Sequence, residues 1–396
     1  MSKILILTDH LGLTTGYGRM GYEISNALHQ AGHEIIYVGW GNPNYPAEYP
    51  FRVIPCDISR EQYGKFIIPD LIRSERPHIL LTLGDPWMTE FVPYMDERKY
   101  VYHIAYFPLD GYPVPTEWIP WLNNADFPVV FSKFAQDLVK GVTGYEPRLI
   151  YHGVNLDSFH PLENRDAIRG RLGVDDKFVV GTVARNQPRK NLPALVKAFS
   201  EFAKNKDDVL LYMHTQTVDV GWNIADLVRR FEVTDKAYTT ANLNSVVGVS
   251  DDELCEIYNV FDIFVLPTMA EGFGLPILEA QACGVPVLVT DFSACTELVP
   301  DRQSLLKVKD TLIMGRNIEQ AIVDIDDIKR KLDYFYYDWK RREGRDMKKL
   351  SAKSIQFSKS FAMENMGNGF IKLIRDIERE LPARNTAEIL PTFYRV

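Results

Sequence analysis

Two glutamates, Glu271 and Glu279, flank the glycine-rich segment EGFG in a chain of 396 residues. An apolar run ending in VLPT precedes the segment, and this pattern predicts a buried strand that leads into a turn. Pro276 suits the first turn of a following helix and Gly284 suits its end. We therefore expect Glu271 to lie in the turn and Glu279 to lie in the first turns of the helix.

The start of this helix has the chemistry of an anion site. The backbone N–H groups of Gly274 and Leu275 would point out of the helix N-terminus, where phosphate binds readily. One of the two carboxylates could then face a phosphate or another reacting group, while the other could reach vicinal hydroxyls. Both glutamates could instead only complement the helix dipole. This segment alone leaves both interpretations open.

A second segment, FVVGTVARNQPRKNLPALVKAF, brings cations to the same half of the chain. Its pattern predicts a strand, a loop that carries Arg185, Arg189 and Lys190, and then a helix. Arg185 stands at the carboxyl end of the strand, where open α/β sheets bind ligands. Arg185 and Lys190 could together neutralise much of a diphosphate without a metal ion.

A third segment, GYGRMG from Gly16 to Gly21, matches the G-x-G-x-x-G pattern of dinucleotide-binding enzymes. That fingerprint needs its first glycine at the strand end and an acidic residue about 20 positions later. Here Thr8 to Thr15 separate the strand from Gly16, and the second apolar run ends without a carboxylate. The pattern therefore does not support a dehydrogenase, although its glycines indicate a close backbone approach or a positive φ.

The elements that must position these residues alternate between short β-rich runs and helical patterns, which is typical of parallel α/β sheets. The first half predicts strands at Ile4–Leu7, Glu34–Val38, His78–Leu83, Val101–Tyr106, Val129–Phe131 and Arg148–Tyr151. The second half predicts strands in KFVVGTVA, VLLYMHT, IFVLPT and VPVLVT. Because the pattern breaks around Val154 to Asn164, we expect two doubly wound domains joined there.

Composition narrows the class of protein. Hydrophobic residues make up 46% of the chain and charged residues 25%, which is typical of a globular protein without a membrane span. The start MSKILILTDH predicts a first strand and not a signal peptide. Four scattered cysteines favour reduced thiols and a cytoplasmic location, and the net charge of −8 argues against general nucleic-acid binding.

In combination, these segments resemble glycosyltransferase family 4, the retaining enzymes with the GT-B fold. The resemblance covers nearly the whole chain. It includes TTGYGR, VVFSKFAQ, YHGVNLDSFHP, the R-x4-K of Arg185 and Lys190, and VGVSDDELCEIYNVFDIFVLPTMAEGFGLPILEAQACGVPVL. The E-x7-E pair of Glu271 and Glu279 is the family's best marker. The implied fold class is α/β, with two Rossmann-like doubly wound domains facing across a cleft.

The resemblance implies a nucleotide-diphosphate sugar as donor, linked to UDP, GDP or ADP, and no other cofactor. Arg185 and Lys190 would bind the diphosphate, and Glu279 the ribose. Glu271, with Gly272, Phe273, Gly274 and Leu275, would lie against the sugar and phosphates. Gly16 and Gly18 would belong to the N-terminal loop that closes on them. Val249, within Val246–Ser250, would meet the base. Glu271, Arg185, Lys190 and Asp110 are the candidate catalytic residues.

One departure from the family concerns the histidine that it often places in the cleft. In YHIAYFPLDGYPVP, His103 falls inside the predicted strand, which favours a core position. Asp110 lies in the loop beyond and is the better candidate to touch the acceptor or the transferring sugar. An aspartate before a glycine is also an ordinary turn former, so both interpretations of Asp110 remain open.

Two further segments could be mistaken for functional ones. Asp324–Asp326 resembles the metal-binding D-x-D of other glycosyltransferases, but its charge-rich helical context favours a solvated helix face, so we expect no metal site. Lys329–Lys349 is basic and aromatic. It could lie on an anionic membrane as a peripheral contact or bind an acceptor, and a helix packed through its aromatic residues explains it equally well.

The sequence thus predicts a metal-independent retaining glycosyltransferase whose acceptor is not identified. The alternatives are a nucleotide-sugar epimerase, against which E-x7-E and R-x4-K speak, and a catalytically silent nucleotide-sugar-binding or scaffold protein. We expect an acceptor-side domain at 1–160, a donor-binding domain at 161–355, and a helical segment at 356–396 that crosses back to the first domain.

Overall fold

A computed structural model describes residues 1–41, 48–56, 59, 63–240, 248–341 and 343–380. The chain divides into two compact units, one formed by Met1–Gly153 together with the residues from Met363 onward, the other by Val154–Ala362. Both divisions lie seven residues from the predicted boundaries at 160 and 355. Residues 246 and 247 of the expected base-contacting segment, residue 342 of the basic segment and residues 381–396 of the terminal segment lie outside the described residues.

The first unit alternates strands and helices up to Gly153. Its elements are β1 Lys3–Asp9, α1 Gly16–Gln30, β2 Glu34–Trp40, β3 Arg52–Cys56, α2 Ile67–Glu75, β4 Ile79–Leu83, β5 Tyr102–Phe107, α3 Ile119–Asn124, β6 Phe127–Val130, α4 Lys133–Thr143 and β7 Arg148–Leu149.

These strands form one parallel sheet in the order β3-β2-β1-β4-β5-β6-β7. The middle of β1, from Ile4 to Leu7, is completely buried, as expected for a parallel strand covered on both faces. The six strands predicted in this half are confirmed to within a few residues. The edge strand β3 was not predicted, since Pro55 and its partly exposed side chains obscure the pattern.

The second unit repeats this alternation and ends in a hairpin and two helices. Its elements are α5 Arg165–Leu172, β8 Phe178–Val183, α6 Leu192–Phe202, β9 Val209–His214, α7 Ile224–Arg230, β10 Ala237–Thr239, α8 Asp251–Val260, β11 Ile263–Leu266, α9 Leu275–Ala282, β12 Val287–Thr290, β13 Leu305–Leu306, β14 Val308–Ile313, β15 Glu319–Val323, α10 Ile325–Arg341 and α11 Arg345–Ser358.

The sheet of the second unit has the parallel order β10-β9-β8-β11-β12-β13, and β14 pairs with β15 in a separate antiparallel hairpin. The four predicted strands correspond to β8, β9, β11 and β12. Because β8 and β11 are neighbours, the loops after their carboxyl ends lie side by side. Those two loops carry the R-x4-K and E-x7-E residues.

The last described helix, α12 Met363–Glu380, belongs to the first unit and packs against α1. The Ser2 hydroxyl donates to Glu378 over 2.7 Å, and Arg148 pairs with Asp376 at 2.8 Å. Phe370 packs edge-on against the buried ring of Tyr106. The described part of the predicted terminal segment therefore ends among the residues of the first unit.

The close packing of β8 generates a test of the fold around the loop of Arg185. A Cβ atom added at Gly181 would overlap the ring of Phe261. We expect Gly181→Ala to lower the free energy of unfolding of the second unit by about 1–3 kcal/mol, the usual cost of overpacking. Urea unfolding measures this change.

The matched control is Gly170→Ala in α5, where an added Cβ would meet no atom within 4 Å. This variant should gain about 0.5–1 kcal/mol, because alanine loses less conformational entropy than glycine in a helix. Equal stability of Gly181→Ala and wild type would contradict the packing of Phe261 on β8.

Candidate functional site

Glu271 is a buried carboxylate held by two cations. It lies in the turn between β11 and α9 with 4% of its surface exposed. Its Oε1 atom is 2.6 Å from Nζ of Lys190, and its Oε2 atom is 3.1 Å from a guanidinium nitrogen of Arg189. Two cations thus face one carboxylate, and one positive charge is left over among these three side chains.

Backbone contacts join the loop after β8 to the loop after β11 around this ion pair. The carbonyl of Arg189 accepts the N–H of Met269 at 2.7 Å and the Thr268 hydroxyl at 3.2 Å. The Arg189 guanidinium donates back to the carbonyl of Ala270. The N–H of Glu271 donates to Oγ of Ser293 at 2.9 Å. Side chains and backbone together fix Lys190 against Glu271.

The pKa of Glu271 reflects this arrangement. Burial by itself raises the pKa of a carboxyl group, but the charges and hydrogen bonds of Lys190 and Arg189 lower it to about 2. The pKa of Lys190 is lowered, because burial and the charge of Arg189 outweigh the attraction of Glu271. Glu271 is therefore ionised across the physiological range.

Arg185 is paired with a different carboxylate. It follows the end of β8, as predicted, but its Nε atom donates to Asp219 at 2.8 Å and a terminal nitrogen approaches the other Asp219 oxygen at 3.4 Å. The Arg185 side chain remains 53% exposed. The predicted pair of cations in one loop is therefore present, with Lys190 and Arg185 held by separate carboxylates from neighbouring loops.

Glu279 lies in the second turn of α9 and is 2% exposed. The hydroxyl of Tyr258 on α8 donates to its Oε2 atom at 2.7 Å. Tyr258 is fully buried among Phe159, Phe261 and Phe264. Glu279 therefore sits in a set orientation, and the helix-dipole interpretation does not explain its burial or its partner.

The start of α9 has the predicted form. Gly274 is the residue before the helix and has a φ of 113°, a region that glycine adopts without strain. Phe273 is buried and packs edge-on against Phe361, whereas Gly272 and Leu275 are half-buried. Val249 is half-buried, just before Ser250, which caps α8.

The glycines of the N-terminal loop have unequal surroundings. Gly16 is exposed at the first residue of α1, and Gly18 is buried two residues further on. The N–H of Gly18 donates to the Thr15 hydroxyl at 3.1 Å. A Cβ atom on Gly18 would lie 3.0 Å from the carbonyl oxygen of His10. Packing within the first unit thus disfavours a side chain at position 18.

His103 and Asp110 are placed differently by β5 and its loop. His103 is 1% exposed within the strand, and its Nε2 atom lies 3.0 Å from the Thr82 hydroxyl. Burial and the charge of Arg98 hold the pKa of His103 well below its usual value. It is a neutral core residue, as the sequence favoured. Asp110 is half-buried in the loop beyond the carboxyl end of β5.

The two segments that resemble a metal site and a membrane-binding helix both have structural explanations. Asp324 precedes α10, and its Oδ1 atom accepts the N–H of Asp326 at 3.0 Å, which caps the helix. Within the basic segment Lys329–Lys349, Tyr336 packs against Phe178 and Phe202. Helix packing therefore accounts for much of that segment.

The described residues contain no group of three or more His, Cys, Asp or Glu side chains placed to hold a metal ion. Within the same residues, no helix is both long and apolar enough to cross a membrane. All four cysteines are free thiols and buried, and the sulfurs of Cys255 and Cys283 lie 3.8 Å apart.

Sequence reasoning missed several residues that hold the site. Arg189, Ser293 and Tyr258 bind the two glutamates, and Asp219 binds Arg185. Of these partners, only Arg189 could have been found from the sequence, because it directly precedes Lys190. The other partners lie between 21 and 34 residues away along the chain, where spacing carries no information.

Residues 164–347 match the family described as glycosyl transferases group 1. The chain is 27% identical over 167 residues to the serotype-specific mannosyltransferase WbdA of Escherichia coli, which covers 41% of this chain and 19% of WbdA. It is 30% identical over 178 residues to D-inositol 3-phosphate glycosyltransferase of Streptomyces bingchenggensis, covering 43% of this chain and 38% of that protein. The chain thus spans less than half the length of these curated relatives.

Solved structures extend the likeness to the whole fold. Sucrose-phosphate synthase of Thermosynechococcus elongatus superimposes with a TM-score of 0.74 at 18% identity, over 95% of this chain and 99% of that one. HepE of Anabaena, in complex with UDP and glucose, gives a TM-score of 0.74 at 13% identity, over 95% and 100% of the two chains. The predicted resemblance to GT-B glycosyltransferases is confirmed, as is the predicted α/β class with two doubly wound units.

The buried ion pair generates a prediction on pH. The pKa of Glu271 is about 2 in the folded protein against an ordinary 4.5. Its ionised form therefore stabilises the fold above about pH 4.5, and this contribution is lost as the pH falls toward 2. Lys190→Ala should cost about 3 kcal/mol at pH 7, because it leaves a buried carboxylate with Arg189 alone.

The difference between Lys190→Ala and wild type should narrow as the pH is lowered from 7 to 3, since protonation of Glu271 removes the unpaired charge. Unfolding free energies measured across this range give the result. The control is Lys329→Ala, which breaks an exposed helix pair with Asp333 and should cost less than about 1 kcal/mol at every pH. A pH-independent difference for Lys190→Ala would contradict the ion pair.

Proposed function

From the match of residues 164–347 to group 1 glycosyl transferases, we propose that the chain is a retaining glycosyltransferase. It moves a sugar from a nucleotide-diphosphate donor to a hydroxyl of an acceptor. The observation that carries the proposal is the buried Glu271 with Lys190 and Arg189 beside the N-terminus of α9. A pair of cations with one carboxylate and a helix start suits a diphosphate far better than it suits a neutral ligand.

The donor's phosphates are assigned to the cations. Lys190 and Arg189 supply a net positive charge, and Arg185 supplies an exposed guanidinium from the same loop. Backbone N–H groups at Gly274 and Leu275 add the helix N-terminus. These groups stabilise the negative charge that develops on the leaving diphosphate, so neither a divalent cation nor a further cofactor is required.

The sugar and nucleoside are assigned to the two glutamates and their neighbours. Glu279, held by Tyr258, accepts hydrogen bonds from the ribose hydroxyls. Glu271 with Gly272 and Phe273 lies against the sugar and phosphates, and Val249 lies near the base. The first donor to test is a UDP-sugar, because HepE, which shares the fold, is described in complex with UDP and glucose.

Retention follows if the acceptor hydroxyl attacks on the face from which the diphosphate leaves. The departing phosphate oxygen then takes the hydroxyl proton, and no protein base is needed. His103 is unsuited to that role because it is buried within its strand and its lowered pKa makes it a weak base. We assign Asp110, after the carboxyl end of β5, to orient the acceptor or the transferred sugar.

A catalytically silent nucleotide-sugar binder remains the second candidate, and turnover with a donor panel separates the two.

A cytoplasmic location, in keeping with four reduced thiols, is part of the proposal. Peripheral membrane contact through Lys329–Lys349 would use the exposed rings of Tyr334 and Tyr337 on α10. Cosedimentation with anionic vesicles tests that contact.

The donor prediction uses thermal and chemical unfolding with UDP-, GDP- and ADP-sugars. A bound nucleotide sugar at 100 times its dissociation constant should add about 2.7 kcal/mol of stability. Sugar transfer should persist in a chelator, because Arg185, Lys190 and the helix start already neutralise the phosphates. Complete loss of transfer in the chelator, restored by manganese or magnesium, would contradict metal independence.

The residue assignments predict different kinetic losses. Arg185→Ala and Lys190→Ala should each lower turnover by roughly 10²- to 10³-fold, the usual cost of removing a group that stabilises developing charge. Glu279→Ala should chiefly weaken donor binding, by about 1.5–3 kcal/mol for a lost charged hydrogen bond. Steady-state kinetics and nucleotide binding separate the two effects.

The control for these variants is Arg229→Ala. Arg229 is an exposed arginine on α7 that pairs with Asp226 in the same helix. It should keep wild-type kinetics and stability. Wild-type kinetics in Arg185→Ala, Lys190→Ala and Glu279→Ala together would show that the donor site lies elsewhere.

A further inference from the structure

The loop that follows β9, residues 216–222, is built around the site arginine. We name it the 216–222 loop. Strand β9 lies beside β8 on the side opposite to β11. Arg185 therefore emerges between two loops, with Asp219 on the β9 side and Glu271 on the β11 side.

Asn186, the residue after Arg185, fastens the 216–222 loop. Asn186 is fully buried, and its side-chain amide donates to the carbonyls of Gln216 at 3.1 Å and Trp222 at 2.6 Å. Its side-chain oxygen accepts the N–H of Trp222 at 2.9 Å, and its backbone carbonyl accepts the N–H of Gly221 at 3.0 Å. Every hydrogen-bonding atom of the Asn186 side chain is thus used to hold this loop.

Gly221 also shows that the 216–222 loop is held closely against Asn186. A Cβ atom on Gly221 would lie 2.9 Å from the backbone oxygen of Asn186 and would overlap its side-chain oxygen. The loop can lie this close to Asn186 only with glycine at that position. The loop is therefore packed directly against residues 185–186 through Asn186 and Gly221.

Asp219 and Arg185 differ in their freedom. The Asp219 side chain is 12% exposed, whereas the Arg185 side chain is 53% exposed. Asp219 binds the Nε side of the guanidinium. In the described part of the chain it is the only hydrogen-bond partner of that group. A guanidinium has five N–H donors, so three remain on the edge that faces away from Asp219.

From these contacts we infer that Asp219 is a positioning residue that fixes Arg185 so that its free edge receives the donor's diphosphate. The inference rests on the proposed function and adds a specific role for the 216–222 loop. A long exposed arginine loses rotamer entropy when it binds a ligand. Asp219 removes part of that loss in advance, because it orders the side chain before the diphosphate arrives. The lowered pKa of Asp219, caused first by its hydrogen bond to Arg185, keeps it ionised for this task.

The rival interpretation makes Asp219 a competitor of the diphosphate. In that case removal of its charge would free Arg185 and strengthen nucleotide binding. Positioning predicts the opposite sign, because an unheld arginine binds less well. The sign of the change therefore separates the two roles.

The experiment is a double-mutant cycle on the full chain, with UDP and the best UDP-, GDP- or ADP-sugar as probes. Asp219→Ala should lower kcat/KM about tenfold, the effect of one lost hydrogen bond to a charged group. Asp219→Asn keeps an acceptor oxygen and should lose less. Arg185→Ala and the double variant Arg185→Ala/Asp219→Ala should be equally impaired, since Asp219 acts only through Arg185.

Two measurements distinguish the positioning role of Asp219 from a purely structural one. Melting temperatures should change little in the Asp219 variants, and Asp226→Ala, which breaks a neighbouring exposed pair, should match wild type in kinetics. A further tenfold loss from Asp219→Ala on the Arg185→Ala background would overturn the inference, as would tighter nucleotide binding by either Asp219 variant. If wild type neither binds nor turns over any of these donors, the proposed function falls together with the inference.

Discussion

The second unit depends on one constraint, which is that the buried carboxylate of Glu271 must be paired. A charge at 4% exposure is costly unless cations and hydrogen bonds surround it. Lys190 and Arg189 reach it from the loop after β8, while Ser293, in the segment after β12, accepts the hydrogen bond of its backbone N–H. These contacts require the loops after β8 and β11 to keep their places, and so fix the start of α9. An apolar pair of similar volume would usually be at least as stable. A role in binding therefore explains the charges better than stability does.

Much of the fold follows from the sequence because parallel strands are buried on both faces and read as continuous apolar runs. The runs at Ile4–Leu7 and in KFVVGTVA are of this kind, and both become central strands. The strands that escaped prediction lack that signal. β3 contains Pro55, β10 and β13 have only three and two residues, and the β14–β15 hairpin exposes most of β14. Pairing within a sheet decides such short or exposed segments, and local pattern does not.

The positions of the candidate residues were predictable from the sequence, but their pairings were not. Glu271, Glu279, Arg185 and Lys190 follow from motif spacing, since the residue types and the helix start are local. Their partners depend on which strands are neighbours, and β9 and β11 flank β8 only after the sheet has formed. For that reason the two cations expected to act together are held by Asp219 and Glu271 separately. The glycines of the N-terminal loop show that a motif can also have a structural explanation. Gly18 is tightly packed, and this packing accounts for a glycine in a pattern that resembles a nucleotide-binding motif.

On the proposed function, the distribution of likeness along the chain matches a division between donor and acceptor binding. The family match at 164–347 lies within the second unit, whereas the likeness of fold extends over 95% of the chain. Donor chemistry constrains particular side chains, because a diphosphate needs cations at set positions. If the acceptor binds at the first unit, as proposed, it constrains only the loops at one edge of the first sheet, and such loops vary freely on a shared fold. His103 illustrates the difference. It lies at the strand position where a base could be sought, yet its contact with Thr82 and its burial make it part of the core. If the leaving phosphate takes the acceptor proton, the first unit has no need of a base at all. Its task is then to orient a hydroxyl, for which a loop carboxylate such as Asp110 is sufficient.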